Sequence, residues 1–221
     1  MAEPDTEKFY QDADKYWKEV PATVDGMLGG FSHISNTDIN GSTKFLRQFI
    51  RGENAKTKSH RALDCGAGIG RITKRLLIPL FDTVDMVELN PDFLNKAREF
   101  LGEHADKVEQ YIAKGLQDFT PEAGRYDVIW CQWVLGHLTD SHLVEFFKRC
   151  KVGLAPDGMI FVKENVTSSD EVDKDDTDSS VTRPRDILVK LMMEAGLKII
   201  KEEKQKGFPK GLYDVIMFAL T

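Results

Sequence analysis

Cysteine is scarce in this chain. Cys65, Cys131 and Cys150 are odd in number and far apart, which excludes a disulfide framework and a zinc motif and suits a reducing compartment. No hydrophobic run approaches the roughly 20 residues of a membrane span. Positive charge is in deficit: 30 Lys and Arg against 36 Asp and Glu leave a formal net charge of −6 at pH 7. That balance argues against nucleic acid as the main partner and makes a basic partner easier to accommodate. The opening MAEPDTEKFY has neither the basic and apolar regions of a signal peptide nor the arginines of a transit peptide, so neither is expected. No repeat of domain-building length is visible. What is present is a globular composition. At 41% hydrophobic and 30% charged, the chain falls outside the disordered and low-complexity classes. Its 221 residues suffice for one domain with additions, with a core that needs neither disulfide nor metal.

Phe9, Ala13, Tyr16, Trp17 and Val20 recur at helical spacing, which predicts a helix over 6–20 stopped by Pro21. A glycine-rich loop over 24–34 follows, then a second helix capped near Asn40 that buries Phe45, Leu46, Phe49 and Ile50. Residues 52–59 read as polar linker. From Arg61 the rhythm becomes strand, turn, helix. Strands are expected at 61–65, 83–88, 108–113, 126–132 and 159–163, the last entered through the turn Ala155-Pro156-Asp157-Gly158. Helices are expected from Arg71 to Pro79, from Asp92 to Leu101 behind Asn90-Pro91, from Ser141 to Lys151 behind Asp140, and from Arg185 to Ala195. Strands at 197–201 and 213–220, with no helix between them, predict an antiparallel pair. The fold expected is a single α/β domain over 1–221. It has a helical extension (1–58), a doubly wound seven-stranded sheet (60–221) and an acidic insertion (166–184) after the fifth strand.

The strongest local signal is LDCGAGIGR, residues 63–71. A strand ends, glycines permit a tight turn and close backbone approach, and a helix begins whose first amides attract anions. A dinucleotide-binding fingerprint needs its third glycine five residues after the first, whereas Gly66, Gly68 and Gly70 are spaced two and two behind Asp64. This pattern resembles motif I of the S-adenosylmethionine-dependent methyltransferases. Glu88, ending the next strand, can accept both ribose hydroxyls of an adenosine. Arg71 directly follows the glycines, where a cation needs an anion to justify it, and the methionine carboxylate would serve. An ordinary strand-turn-helix with a surface Glu, and an NAD site, are the other readings of these residues.

Further on, YDVIWCQWVLGHL (126–138) carries Trp130, Gln132, Trp133 and His137. With VDGMLGG (24–30), KEN (163–165) and DSSVTR (178–183), it resembles the eukaryotic protein N-terminal methyltransferases, from about Phe9 to Leu220. That resemblance implies a Rossmann-like class I methyltransferase fold. It implies methyl transfer from S-adenosylmethionine, with S-adenosylhomocysteine as product, to the free α-amine of proteins beginning X-Pro-Lys or X-Pro-Arg. It also implies a cytoplasmic and nuclear location. The matching cofactor positions are Gly66, Arg71, Glu88, Leu89, Asn90, Leu116, Gln117 and Gln132. The matching substrate positions are Trp17, Leu28, Ile34, Trp133, Asp175, Ser180 and Tyr213, with Asp178, His137 and Asn165 as catalytic candidates. No metal ligand set is implied. Three departures stand out: Glu88 where the family commonly has Asp, an extra residue between Asn165 and Asp178, and Gly211 in place of an acid near Tyr213.

The chemistry asks for such residues. An α-amine has a pKa near 7.7–8.0, so roughly nine in ten are protonated at pH 7 and cannot attack. Asp178 and His137 can accept the proton, and Asn165 can orient the amine or peptide backbone without changing charge. Trp17 and Trp133 can wall a slot for proline, and Asp175 and Asp178 present negative charge to a basic third residue. Taken alone, Trp17 also reads as core, His137 as a satisfied helix-start histidine, and the acidic run as a solvated loop. A small-molecule methyltransferase on the same fold, and an inactive cofactor-binding scaffold, are the rival functions.

Overall fold

The computed structural model describes residues 6–53 and 55–221, so residues 1–5 and 54 of the predicted N-terminal extension lie outside the description. Strands β1 (Arg61–Cys65), β2 (Thr83–Glu88), β3 (Val108–Ala113) and β4 (Tyr126–Gln132) form where the sequence predicts them. All seven residues of β4 are buried, as expected of a parallel strand covered on both faces. β5 (Leu154–Val166) is longer than expected, and β8 (Ile199–Lys204) starts later. The turn over 155–158 is present, but as a bulge within β5: Leu154 pairs with Tyr126 and Met159 with Val128. With β9 (Asp214–Leu220), the seven strands take the order β3-β2-β1-β4-β5-β9-β8. β1 to β5 are parallel, and β9 runs antiparallel between β5 and β8.

Helices cover both faces. On one, α3 (Ser35–Ile50), a short helical segment after Arg71, and α4 (Pro91–Leu101) bury Phe45, Leu46, Leu76 and Ala97 against Val84, Trp130 and Phe161. On the other, α5 (Asp140–Gly153) and α6 (Arg185–Glu194) set Phe146, Phe147 and Leu188 against Ile129, Ile160 and Phe218. Asn90 caps α4 as expected, accepting Asp92 N–H at 2.9 Å, with Pro91 at the first helical position. α5 is capped by Thr139 rather than Asp140.

Two expectations need correction. The second helix starts at Ser35, not near Asn40, and the loop before it contains a one-turn helix α2 (Val24–Met27) and a 3-10 turn over Ser32–Ile34. No side chain caps α3; contacts with the sheet hold it instead. The acidic insertion is not bare loop either, since β6 (Asp173–Lys174) pairs with β7 (Val181–Thr182) as a short hairpin. Arg183 anchors it, donating to the Leu135 and Leu138 carbonyls at 3.0 and 2.6 Å and to Asp140 at 2.8 Å. α1 (Thr6–Glu19) lies over the carboxyl ends of the strands, tied there by Tyr10 to His142 at 2.7 Å and by Ser179 to Asp12 at 2.6 Å.

Candidate functional site

Above the ends of β1, β2 and β4 opens a cleft of about 970 Å³, mouth included. This is the crevice in which doubly wound sheets bind ligands. Gly66 turns the chain out of β1 at φ 68°, where a side chain is strained, and a Cβ would sit 2.4 Å from Val134 Cγ2. The turn is closed by the Glu88 carboxylate. Its Oε2 accepts Gly68 N–H at 2.9 Å and its Oε1 accepts Asn90 N–H at 3.0 Å. Burial pushes the Glu88 pKa up, against those backbone donors. A carboxylate has about four lone-pair directions, so acceptor capacity remains for a ribose hydroxyl.

The cleft is lined by Gly66, Arg71, Glu88, Leu89, Leu116, Gln117 and Gln132, seven of the eight predicted cofactor positions. Asn90 is the exception. Its side chain caps α4 and donates to the Trp17 carbonyl at 3.2 Å, so it fastens α1 to the rim. Arg71, whose position asks for an anion, has one within the protein already, since its Nη1 donates to Asp38 at 2.7 Å. Tyr10, Ala13 and Trp17 of α1 roof the cleft. Two of the lining residues carry a buried ring nitrogen without a partner among the described residues, Trp133 Nε1 and His137 Nδ1. Apolar walls, a carboxylate with free lone pairs, an arginine and unpartnered donors fit a nucleoside carrying a zwitterionic tail.

A second pocket adjoins the first, and Trp17, Met27 and Trp133 line both. It also takes in Leu28, Ile34, Asn165 and Tyr213, so the two tryptophans, these three substrate positions and Asn165 meet at one opening. Ser180 stays outside it, its N–H held by Asp178 and its carbonyl by Asp175 N–H. Trp133 takes φ 52°, an uncommon conformation for a bulky residue. It is held by its own N–H to Lys163 O at 3.0 Å and by Glu164 Oε1, which accepts Val134 and Leu135 N–H at 2.8 Å each. Burial pushes the Glu164 pKa up to about 7.

His137 lines the cleft, and its Nε2 accepts the Trp17 indole N–H at 3.1 Å. Burial lowers its pKa, while Asp178 and then Asp175 act the other way, so the imidazole is neutral near pH 7 and carries its proton on Nδ1. Asp178 Oδ2 lies 3.9 Å from Nε2, and its Oδ1 accepts Ser180 N–H at 2.9 Å. Asp178 is thus behind His137 rather than on the cleft wall.

Asp175 is not brought to the second pocket. It lines a separate groove under the hairpin, and its Oδ1 accepts Thr177 N–H at 2.8 Å. The acid on this pocket's wall is Asp214, paired with Lys204 at 2.6 Å; Asp173, off the wall, accepts the hydroxyl of the lining Tyr213 and raises its pKa. The length departure in this segment was the only signal for it. The sequence reading also missed Glu164 and Arg183, whose motifs it quoted without roles for these positions, and Asp38, which lies in none of those motifs.

Comparison with known proteins gives one answer. The family described as AdoMet-dependent proline di-methyltransferase matches residues 5–221. N-terminal Xaa-Pro-Lys N-methyltransferase 1-B of Xenopus laevis is 57% identical over 216 residues, covering 98% of this chain and 96% of its own. N-terminal Xaa-Pro-Lys N-methyltransferase 1 of Mus musculus is 55% identical over the same shares. A solved SAM-dependent methyltransferase from Leishmania major superposes with a TM-score of 0.91 at 40% identity, covering 98% of this chain and 85% of that one.

Proposed function

Because the chain belongs to the AdoMet-dependent proline di-methyltransferase family, we propose that it methylates the free α-amine of proteins beginning X-Pro-Lys, and X-Pro-Arg as well. It is an S-adenosylmethionine-dependent protein N-terminal methyltransferase. The observation that carries the substrate reading is the junction of two pockets. One suits the cofactor, the other is a slot of Leu28, Ile34 and Tyr213, and Trp17, Met27 and Trp133 separate and join them. A peptide terminus entering the slot reaches the cleft with its amine, and a proline second residue matches aromatic and aliphatic walls. Asp214 on the slot wall and Asp173, bonded to the lining Tyr213, favour a basic third residue.

When bound, S-adenosylmethionine supplies an electrophilic methyl group. Glu88 would hold the ribose, Leu89, Leu116 and Gln117 the base, and Arg71 and Gln132 the amino-acid end. The protein must strip the incoming ammonium of its proton. Asp178 and His137 share this work. The Nε2 lone pair is already engaged by Trp17, so the imidazole takes up a proton only when that indole yields, and Asp178 at 3.9 Å is the anion that then holds the imidazolium. Asn165 on the slot wall orients the peptide terminus. A second methylation repeats the cycle, since a monomethylated or prolyl amine still carries a proton. The proposal includes a cytoplasmic and nuclear location, in keeping with three free, buried cysteines.

Intact mass of a Ser-Pro-Lys peptide incubated with enzyme and S-adenosylmethionine tests the proposal. Gains in steps of one methyl are expected, and none for the same peptide with an acetylated N-terminus. Equal methylation of the acetylated peptide overturns the α-amine reading. Methylation of a metabolite panel with no peptide product returns the protein to the small-molecule class.

A further inference from the structure

Beneath the cofactor cleft lies a buried charge cluster in which Asp38 and Lys163 have no part in the reaction described above. Asp38 on α3 is fully buried. Its Oδ2 accepts Arg71 Nη1–H at 2.7 Å, while its Oδ1 accepts Gln132 Nε2–H at 2.9 Å and Lys163 Nζ–H at 2.6 Å. One carboxylate in the N-terminal extension therefore grips two cleft-lining residues and a lysine of β5 at once. Lys163, also fully buried, donates further to Asp38 O at 3.1 Å, Ser42 Oγ at 2.9 Å and Gln205 Oε1 at 2.7 Å. Carboxylate, carbonyl and amide oxygens only accept, so this nitrogen is an ammonium, although burial pulls its pKa below the ordinary lysine range.

Two buried cations thus share one anion. Lys163 is surrounded by acceptors; Arg71 has, besides Asp38, a contact of 3.4 Å to Ser35 Oγ and the face of Trp133 at 5.6 Å. Asp64 is the next buried carboxyl to feel Arg71, but Thr73 donates to it at 2.5 Å and burial pushes its pKa up to about 7, so it is a partial counter-charge. A buried cluster with surplus positive charge is costly until something neutralises it. Of the two cations, Arg71 is the one that lines the cleft.

We propose that Asp38 is a positioning residue for the amino-acid end of the cofactor. By dividing its oxygens between Arg71 and Gln132 it aims both into the cleft, where the cofactor's carboxylate would meet them. The proposal rests on the reading of Arg71 as the carboxylate's partner.

Two ligands separate the possibilities. S-adenosylhomocysteine carries the amino-acid tail, and 5′-methylthioadenosine keeps the nucleoside and thioether without it. Calorimetry on Asp38→Asn should show about tenfold or greater weakening for S-adenosylhomocysteine, the range for loss of a charged hydrogen bond. Binding of 5′-methylthioadenosine should change by less than about threefold, within the scatter of such measurements. Asp38→Asn strands two buried cations, so Asp38→Asn/Lys163→Met serves if the single variant does not fold, and the same selectivity is expected of it. Equal losses for both ligands, or an unchanged S-adenosylhomocysteine affinity, overturn the proposal. Arg71→Met is the control on the underlying reading. If it shows no selectivity, the Arg71 reading fails; if it is selective and the Asp38 variants are not, the inference alone fails. A wild-type measurement stands beside these. The Arg71 guanidinium should give resolved, slowly rotating Nη–H signals by NMR before any ligand is added, and free rotation there overturns the pre-aimed arginine.

Discussion

Glu164 offers the sharpest test of how this site is held. Its Oε1 accepts two backbone N–H groups, Val134 and Leu135, at 2.8 Å each, and so fixes the turn that puts Trp133 at φ 52°. Burial pushes its pKa from 4.5 to about 7. A group whose folded pKa is raised binds its proton more tightly folded than unfolded. Its favourable contribution is therefore complete below the unfolded value and is lost as the pH rises through about 7. Glu164→Gln keeps the accepting oxygen and cannot ionise. Relative to wild type, that variant should gain about 2–3 kcal/mol between pH 5 and pH 8, since each roughly tenfold difference in proton affinity is worth about 1.4 kcal/mol. Glu164→Ala should lose about 1–3 kcal/mol for each amide left unpaired and release Trp133, with turnover falling alongside stability. Urea unfolding of the three proteins at pH 5 and pH 8, with peptide methylation at pH 8, reads both effects. A stability difference between wild type and Glu164→Gln that does not vary with pH would refute the reasoning, because no buried charge would then be relieved.

Glu88→Ala should weaken S-adenosylhomocysteine by about 1.5–3 kcal/mol for each ribose hydrogen bond lost; calorimetry showing unchanged affinity removes Glu88 from the site. Gly66→Ala places a Cβ 2.4 Å from Val134 Cγ2 at a positive φ, and cofactor binding should drop below detection in the same experiment while the circular dichroism stays native. Asp178→Asn should lower turnover at pH 7 by at least about a hundredfold with cofactor affinity unmoved. Recovery at pH 9.5 marks proton removal as its main role, a persistent defect marks orientation, and full activity at pH 7 excludes it. Trp17→Phe removes the N–H that occupies His137 Nε2, so the imidazole should become more basic and the acid limb of turnover against pH should move upward. A limb that stays put disconnects Trp17 from His137.

What could be read without coordinates is what local rules control. β2, β3 and β4 begin and end where apolar runs meet turn residues, and Asn90-Pro91 opens α4 because capping needs only neighbours. The glycine turn and Glu88 were legible for the same reason, since strand, turn and acid lie within one unit of chain. Leu28, Ile34, Asn165 and Tyr213 could be named only through the family resemblance, and the fold shows why they belong together. The start of α3 escaped because no capping side chain marks it; Asp38 holds that helix through Arg71, 33 residues away, and through Lys163, 125 residues away. The hairpin escaped likewise, because Arg183 ties it to carbonyls more than 40 residues back, and Asp173 finds its partner in Tyr213, 40 residues on. Periodicity and turn chemistry act over a few residues and leave a repeating signature in the chain. A buried carboxylate chooses its partners by where packed elements place them, and that choice has no period to read.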